Sequence, residues 1–251
     1  MSMFEISIIA PALLACMLVL STHVPLGTEV LRWGIIFIDL AIAQVAGLGV
    51  IVADSLGWEA HGPLVQVSAV GAALLAAVIL HWTDKRWPEI QEALIGVSFI
   101  LAATASILLL AGNPHGGENL KELLVGQVLW VTYGQLIPVA VVSVSVLTAW
   151  YFFHERMRGS GFYAMFAFAI TASVQLVGIY LVFASLIIPA LATRRIVHGG
   201  VRIAWGYGIG FAGALAGLVL SLFADLPAGA VIVWCLAIIA LLFRRSGSSM
   251  R

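Results

Sequence analysis

Charged side chains are scarce in this sequence. Of its 251 residues, 10% are Asp, Glu, Lys or Arg, whereas an ordinary soluble domain has about 25%. The 12 basic and 12 acidic residues balance to a net charge of zero, and the basic ones form no run. This composition excludes a soluble enzyme, because so few charges could not give a chain of this size a wetted surface. It also lacks the positive patch on which nucleic-acid binding depends.

Cysteine is equally rare, and catalytic motifs are absent. Cys16 and Cys235 both lie in apolar runs, outside any C-x-x-C or Cys/His cluster, which argues against a disulfide framework or a thiolate metal site. The sequence has no Walker-type glycine-rich loop and no H-E-x-x-H motif. We therefore expect a protein that is not an enzyme and binds no prosthetic group. If it moves a substrate uphill, the energy comes from a partner or an ion gradient.

Apolar residues are abundant, at 62% of the chain. A membrane-spanning helix needs about 20 of them in a row, and the sequence offers about eight such runs and a shorter one, Val182–Thr193, which Pro189 interrupts. We predict an all-α, polytopic integral membrane helical bundle of about 8–9 transmembrane segments, with one short or broken helix around Val182–Thr193. Residues 1–251 are expected to form a single transmembrane domain. The long runs are Phe4–Ser21, Gly34–Ala53, Leu64–Trp82, Ala93–Ala111, Leu123–Phe153, Phe162–Leu181, Ile203–Phe223 and Ala230–Phe243.

The loop charges predict an orientation, because cytoplasmic loops carry an excess of Lys and Arg. Asp54–Gly62 and Asp225–Gly229 contain neither residue. This alternation predicts an outside N-terminus and a cytoplasmic C-terminus, provided that Val182–Thr193 returns the chain to the cytoplasm. The basic residues of the predicted cytoplasmic side are Arg32, Lys85, Arg86, Arg156, Arg158, Arg194, Arg195, Arg202, Arg244, Arg245 and Arg251.

Asp39 is an ionisable residue inside an apolar run. Such a group costs about 2.5–3.5 kcal/mol in mid-helix, so it normally faces the bundle interior or water. Gly47 lies eight positions on, close to the same helix face. Two interpretations remain open for Asp39: a polar point on a substrate path, or a buried carboxylate capped by a neighbouring group.

Glutamines also interrupt the apolar runs, and we interpret them as interhelical hydrogen-bonding residues. They are Gln44, Gln66, Gln127, Gln135 and Gln175.

His115-Gly116-Gly117-Glu118 is the one constellation with metal-ligand chemistry. Imidazole nitrogen and carboxylate oxygen both suit zinc or manganese. The alternative is the start of a helix in which Glu118 or Asn119 caps the residues from Leu120 onward.

Five stretches of the sequence occur in an order typical of one family: Ile36–Gly49, Pro88–Gly96, Pro114–Val131, Val177–Arg194 and Asp225–Gly229. Together they resemble the membrane-permease subunits of bacterial zinc, manganese and iron(II) ABC importers. The resemblance implies a multi-pass protein of the bacterial inner membrane that pairs with a second permease copy and works by alternating access. It also implies cytoplasmic ATPase subunits and a periplasmic or lipid-anchored metal-binding protein as partners.

The resemblance also implies roles for particular residues. Asp39 matches the aspartate of the family's D-x-x-x-H motif, so Asp39, Gln44 and Gly47 would line the transport pathway and Asp39 would contact the metal. The fourth residue after Asp39 is Ala43, so the histidine of the motif is absent. His115 and Glu118 would then serve as an outer metal relay. Zinc is slightly favoured over manganese, since imidazole and carboxylate both bind zinc well.

The cytoplasmic loop before Phe162 departs from the family pattern, because it lacks the stretch that grips the ATPase. Coupling would instead rely on this shorter loop and on the loop after Thr193. The residues concerned are His154, Glu155, Arg156, Arg194 and Arg195. This departure keeps open a stand-alone channel or gradient-driven metal carrier of the same fold. A purely structural membrane subunit would leave Asp39 without a purpose.

Overall fold

The computed structural model describes residues 3–58, 62–153 and 159–248. These ranges form ten α-helices and no β-strand, so the all-α prediction is confirmed. Single 3₁₀ turns cover Pro88–Ile90 and Val128–Trp130. The helices are α1 (Met3–Trp33), α2 (Ile38–Ser55), α3 (Pro63–Arg86), α4 (Gln91–Leu110), α5 (Gly116–Val125), α6 (Tyr133–Phe153), α7 (Ser160–Val177), α8 (Ile179–Thr193), α9 (Gly199–Ala224) and α10 (Ala228–Ser248).

Seven helices within the described ranges are long and apolar enough to cross a membrane: α1, α2, α3, α4 with its preceding 3₁₀ turn, α6, α7 and α9. Two further apolar helices are shorter, Ile179–Thr193 and Ala228–Arg244. At 1.5 Å per residue, α8 is only about 22 Å long, against a hydrocarbon core of about 30 Å. The polytopic bundle and its short helix around Val182–Thr193 thus agree with the prediction.

Two predicted spans are divided at glycines. The run Leu123–Phe153 is not one helix, because α5 ends before Gly126 and α6 begins only at Tyr133. The run Phe162–Leu181 ends early, at Gly178. Both glycines have left-handed backbones, with φ of +73° at Gly126 and +79° at Gly178. Such φ values are incompatible with a continuing helix and favour glycine.

Helix α1 is longer than the predicted run Phe4–Ser21, because it continues through Pro25 to Trp33. The polar residues after Leu20 do not end it, since the Ser21 and Thr22 hydroxyls donate hydrogen bonds back to Leu18 O (2.6 Å) and Val19 O (3.1 Å) within the same helix. His23 follows these two residues and is fully buried inside α1.

One principal apolar core draws on α1 to α4 and α6 to α10. At one end of the bundle, the Trp33 ring packs on Phe162 (4.4 Å between centroids) and the His81 ring packs on Tyr163 (5.2 Å). These contacts bring together the ends of α1 and α3 and the start of α7. We call this the basic end, because α1 and α3 finish there with Arg32, Lys85 and Arg86.

Candidate functional site

Asp39 lies in the first turn of α2 and is completely buried. Neither carboxylate oxygen has a hydrogen-bond partner. A helix N-terminus favours a negative charge, yet an ionised carboxylate away from water still requires further partners. The backbone amides of Asp39 and Leu40 approach the carboxylate, but no side chain hydrogen-bonds to it.

Glu92 approaches the same turn from the start of α4. Its Oε1 accepts a hydrogen bond from the backbone N–H of Phe37 (3.2 Å), two residues before Asp39. Its Oε2 is buried and has no partner. Glu92 was not among the predicted site residues, because at the start of a helix beside a loop it looks like an ordinary solvated residue.

Ala43 and Gln44, four and five residues after Asp39 in α2, are both buried. Ala43 stands where the motif has histidine and has no ligating atom. Gln44 is almost fully buried, and its Oε1 has no partner. Because α2 is helical throughout, Gln44 points about 140° away from Asp39 around the helix. The two side chains therefore project from different faces of α2.

Gly47 marks a close approach between α2 and α5. A Cβ atom at this position would lie 2.6 Å from Cδ2 of Leu123. The glycine therefore lets Leu123 pack directly against the α2 backbone. This contact gives Gly47 a packing role whatever part it has in transport.

His115 and Glu118 come together at the start of α5, with 3.5 Å between Nδ1 and Oε2. Both side chains are exposed, at 77% and 80% of their surface. The pair belongs to α5, whereas Asp39 belongs to α2, so the predicted metal-binding residues fall in two separate places. Within the described ranges, no group of three or more His, Cys, Asp or Glu side chains could hold a metal ion.

A cavity of about 340 Å³ lies between α2, α3, α5, α6 and α7. Its wall includes carboxylates from the end of α2 and from α5, Asp54 and Glu122. Most of the glutamines that interrupt the apolar runs, for which hydrogen bonds between helices were predicted, line this cavity. They are Gln66, Gln127, Gln135 and Gln175.

Gln135 forms its hydrogen bonds within the start of α6 and not between helices. Its Oε1 accepts from the N–H (2.8 Å) and the hydroxyl (3.1 Å) of Thr132, three residues away, and so caps the start of α6 locally. The signal that sequence analysis missed was collective. Four glutamines that line one cavity indicate a polar chamber better than any one of them does.

Of the residues predicted to contact an ATPase, Arg194 and Arg195 are exposed directly after α8. His154, Glu155 and Arg156 lie outside the described residues.

A family model described as the ABC 3 transport family matches residues 5–162 and 155–244. The chain belongs to the ABC 3 transport family. It is 23% identical to the high-affinity zinc uptake system membrane protein ZnuB of Haemophilus influenzae, over 96% of this chain and 97% of that protein. It is 25% identical to the manganese transport system membrane protein MntC of Halalkalibacterium halodurans, over 83% of this chain and 76% of that protein.

A solved structure shares the fold of this ABC 3 family member. It is PsaBC from Streptococcus pneumoniae in complex with Fab, with a TM-score of 0.76 at 19% identity. The match covers 96% of this chain and 95% of that chain. The helical arrangement of this chain is therefore shared with that solved structure over nearly the full length of both chains.

Proposed function

We propose that this protein is the membrane permease subunit of an ATP-driven importer of divalent metal ions, working by alternating access in a bacterial inner membrane. The observation that carries the proposal is family membership over almost the whole chain. The relatives named for zinc and manganese uptake support a metal as cargo. The buried carboxylate of Asp39, with both oxygens free, supplies a point at which the interior can bind a cation.

The route that we propose starts at the polar cavity. Two of its lining residues, Asp54 near the end of α2 and Gln66 near the start of α3, lie where the loop Asp54–Gly62 joins these helices. This loop contains no Lys or Arg. By the positive-inside rule this loop faces outward and the basic end faces the cytoplasm. This places the N-terminus outside and the C-terminus inside. Metal would then pass from the cavity past Gly47 and Gln44 to Asp39, with His115 and Glu118 as an outer relay.

The principal apolar core, which draws on nine of the ten helices in the described ranges, supports one permease domain over residues 1–251. Partners of this domain would be a second permease copy, cytoplasmic ABC ATPases and an external metal-binding protein. The exposed Arg194 and Arg195 would form part of the ATPase contact, together with His154, Glu155 and Arg156. Zinc and manganese are the two candidate cargoes, and an imidazole-carboxylate relay at His115 and Glu118 favours zinc.

Two measurements test this proposal. Deleting the gene should lower cellular zinc or manganese when external metal is scarce, and the native gene should restore it. Purification from native membranes with a C-terminal tag should recover an ATP-binding subunit in stoichiometric amount. Unchanged metal content after deletion would overturn the transport proposal. Restored uptake without any ATP-binding subunit would favour the gradient-driven carrier.

A further inference from the structure

Building on the proposed transport function, we propose that Glu92 is a second metal-binding residue of the interior site. Asp39 and Glu92 would bind the transported cation through carboxylate oxygens alone. The cation class that suits such a site is a hard divalent ion such as Mn²⁺. Glu92 would replace the histidine of the D-x-x-x-H motif, at whose position this chain has Ala43.

Three carboxylate oxygens near the start of α2 have no hydrogen-bond partner. Asp39 Oδ1, Asp39 Oδ2 and Glu92 Oε2 are all buried without a hydrogen-bond partner. Buried polar groups in folded proteins are nearly always satisfied, so unsatisfied ones point to a ligand or a functional role. Three such oxygens from two acidic residues near one helix turn are a ligand set.

The backbone of Phe37 holds Glu92 in place. The hydrogen bond from Phe37 N–H occupies Oε1 only, which leaves Oε2 free. Phe37 precedes the first turn of α2, and Asp39 lies in that turn. The Phe37 ring also stacks on Phe183 of α8 (6.2 Å between centroids, 14° between planes). The backbone that positions both carboxylates is thus fixed by α4 on one side and by α8 on the other.

The charges of the two residues also point to a cation. Asp39 is fully buried and Glu92 half-buried, and two carboxylates near one helix turn repel each other unless a cation or a shared proton compensates. Within the described ranges, one Arg or Lys side chain forms an ion pair, that of Arg32 with Glu29 (3.6 Å). No Arg or Lys side chain in these ranges pairs with Asp39 or Glu92. A divalent cation bound between them would neutralise both charges at once. Buried charges are paired in this way or coordinate metals.

The donor atoms define the ligand class. Ala43 offers no imidazole at the position where a zinc-binding partner of Asp39 would stand. Carboxylate, carbonyl and water oxygens suit Mg²⁺, Ca²⁺ and Mn²⁺, whereas imidazole and thiolate favour zinc and copper. Of the zinc and manganese named for the relatives, manganese is the one that matches an all-oxygen site. The interior site therefore favours manganese, whereas the outer pair of His115 and Glu118 favours zinc.

The competing explanation is that Glu92 merely caps the N-terminus of α2. The substitution Glu92→Gln separates the two roles, because glutamine keeps an oxygen acceptor for the Phe37 amide but loses the charge that binds metal. Glu89→Gln is the matched control, since Glu89 is an exposed carboxylate three residues earlier in the chain.

The test is Mn²⁺ binding to the full-length protein in lipid nanodiscs, after removal of metal with a chelator. Free aqueous Mn²⁺ is measured by electron paramagnetic resonance. Losing even an indirect partner of a bound metal weakens affinity about 10–100-fold, so Asp39→Asn and Glu92→Gln should each weaken Mn²⁺ binding at least about tenfold. The double variant should lose little more than either single one, and Glu89→Gln should bind as the native protein does.

Native-like Mn²⁺ binding by Glu92→Gln would overturn the proposal and leave Glu92 as a cap. The absence of any Mn²⁺ binding by the native protein would overturn it as well. Neither result touches the transport function, because that function fails only if gene deletion leaves cellular metal unchanged.

Discussion

Gly126 and Gly178 lie backbone against backbone at the points where α5 and α7 end. A Cβ atom built on Gly178 would lie 2.6 Å from the carbonyl carbon of Val125, and one on Gly126 would lie 2.6 Å from the amide nitrogen of Gly178. Their φ and ψ angles, +73° and 170° for Gly126 and +79° and 163° for Gly178, fall in a region essentially reserved for glycine. Two helix ends thus meet inside the bundle without intervening side chains.

Alanine at Gly178 should destabilise the protein severely. The backbone conformation alone costs a residue with a side chain about 1–3 kcal/mol, and the contact with Gly126 adds steric overlap. The measurement is the thermal unfolding midpoint of the full chain in detergent.

Gly96→Ala is the control for this substitution. Gly96 lies inside α4 with no atom near its missing Cβ, and alanine there should stabilise the helix by about 0.5–1 kcal/mol. An unfolding midpoint for Gly178→Ala equal to that of Gly96→Ala would contradict the close contact between the two helix ends.

Asp39→Asn should greatly reduce metal uptake without preventing folding. Asparagine has nearly the same volume as aspartate, so the packing around the first turn of α2 should be kept while the charge is lost. Uptake of radioactive manganese and zinc by cells should fall at least about tenfold, as expected for the loss of a metal partner. The amount of protein in the membrane serves as the control, and uptake at the native rate would remove Asp39 from the pathway.

The class of fold could be predicted from composition and apolar runs, because every span has to satisfy its own backbone in lipid. The breaks at Gly126 and Gly178 could not, since each glycine lies within a predicted span and is fixed by a partner more than fifty positions away. Asp39 could be identified as one costly charge among apolar neighbours. Glu92 could not, because its role depends on the hydrogen bond that it accepts from the backbone N–H of Phe37, directly before α2.

The outer pair on α5 makes a prediction about metal concentration. If His115 and Glu118 capture metal for the pathway, replacing both with alanine should slow uptake strongly at low external metal and only weakly at saturating metal. The pair is exposed and contributes little packing, so stability should be unchanged. Lys121→Ala, another exposed change on α5, is the control. An equal loss of uptake at both concentrations would indicate a folding role instead.

The polar cavity makes the last prediction, through Gln175 in its wall. If this amide joined helices by a hydrogen bond, Gln175→Leu would cost stability of about 0.6–2 kcal/mol. Because Gln175 is exposed to the cavity, we expect leucine to leave the unfolding midpoint nearly unchanged. Uptake should nevertheless slow, since an apolar side chain at this point removes an oxygen that can replace water around a passing cation. Lower stability with uptake unchanged would restore the interhelical role and argue against the cavity as the route.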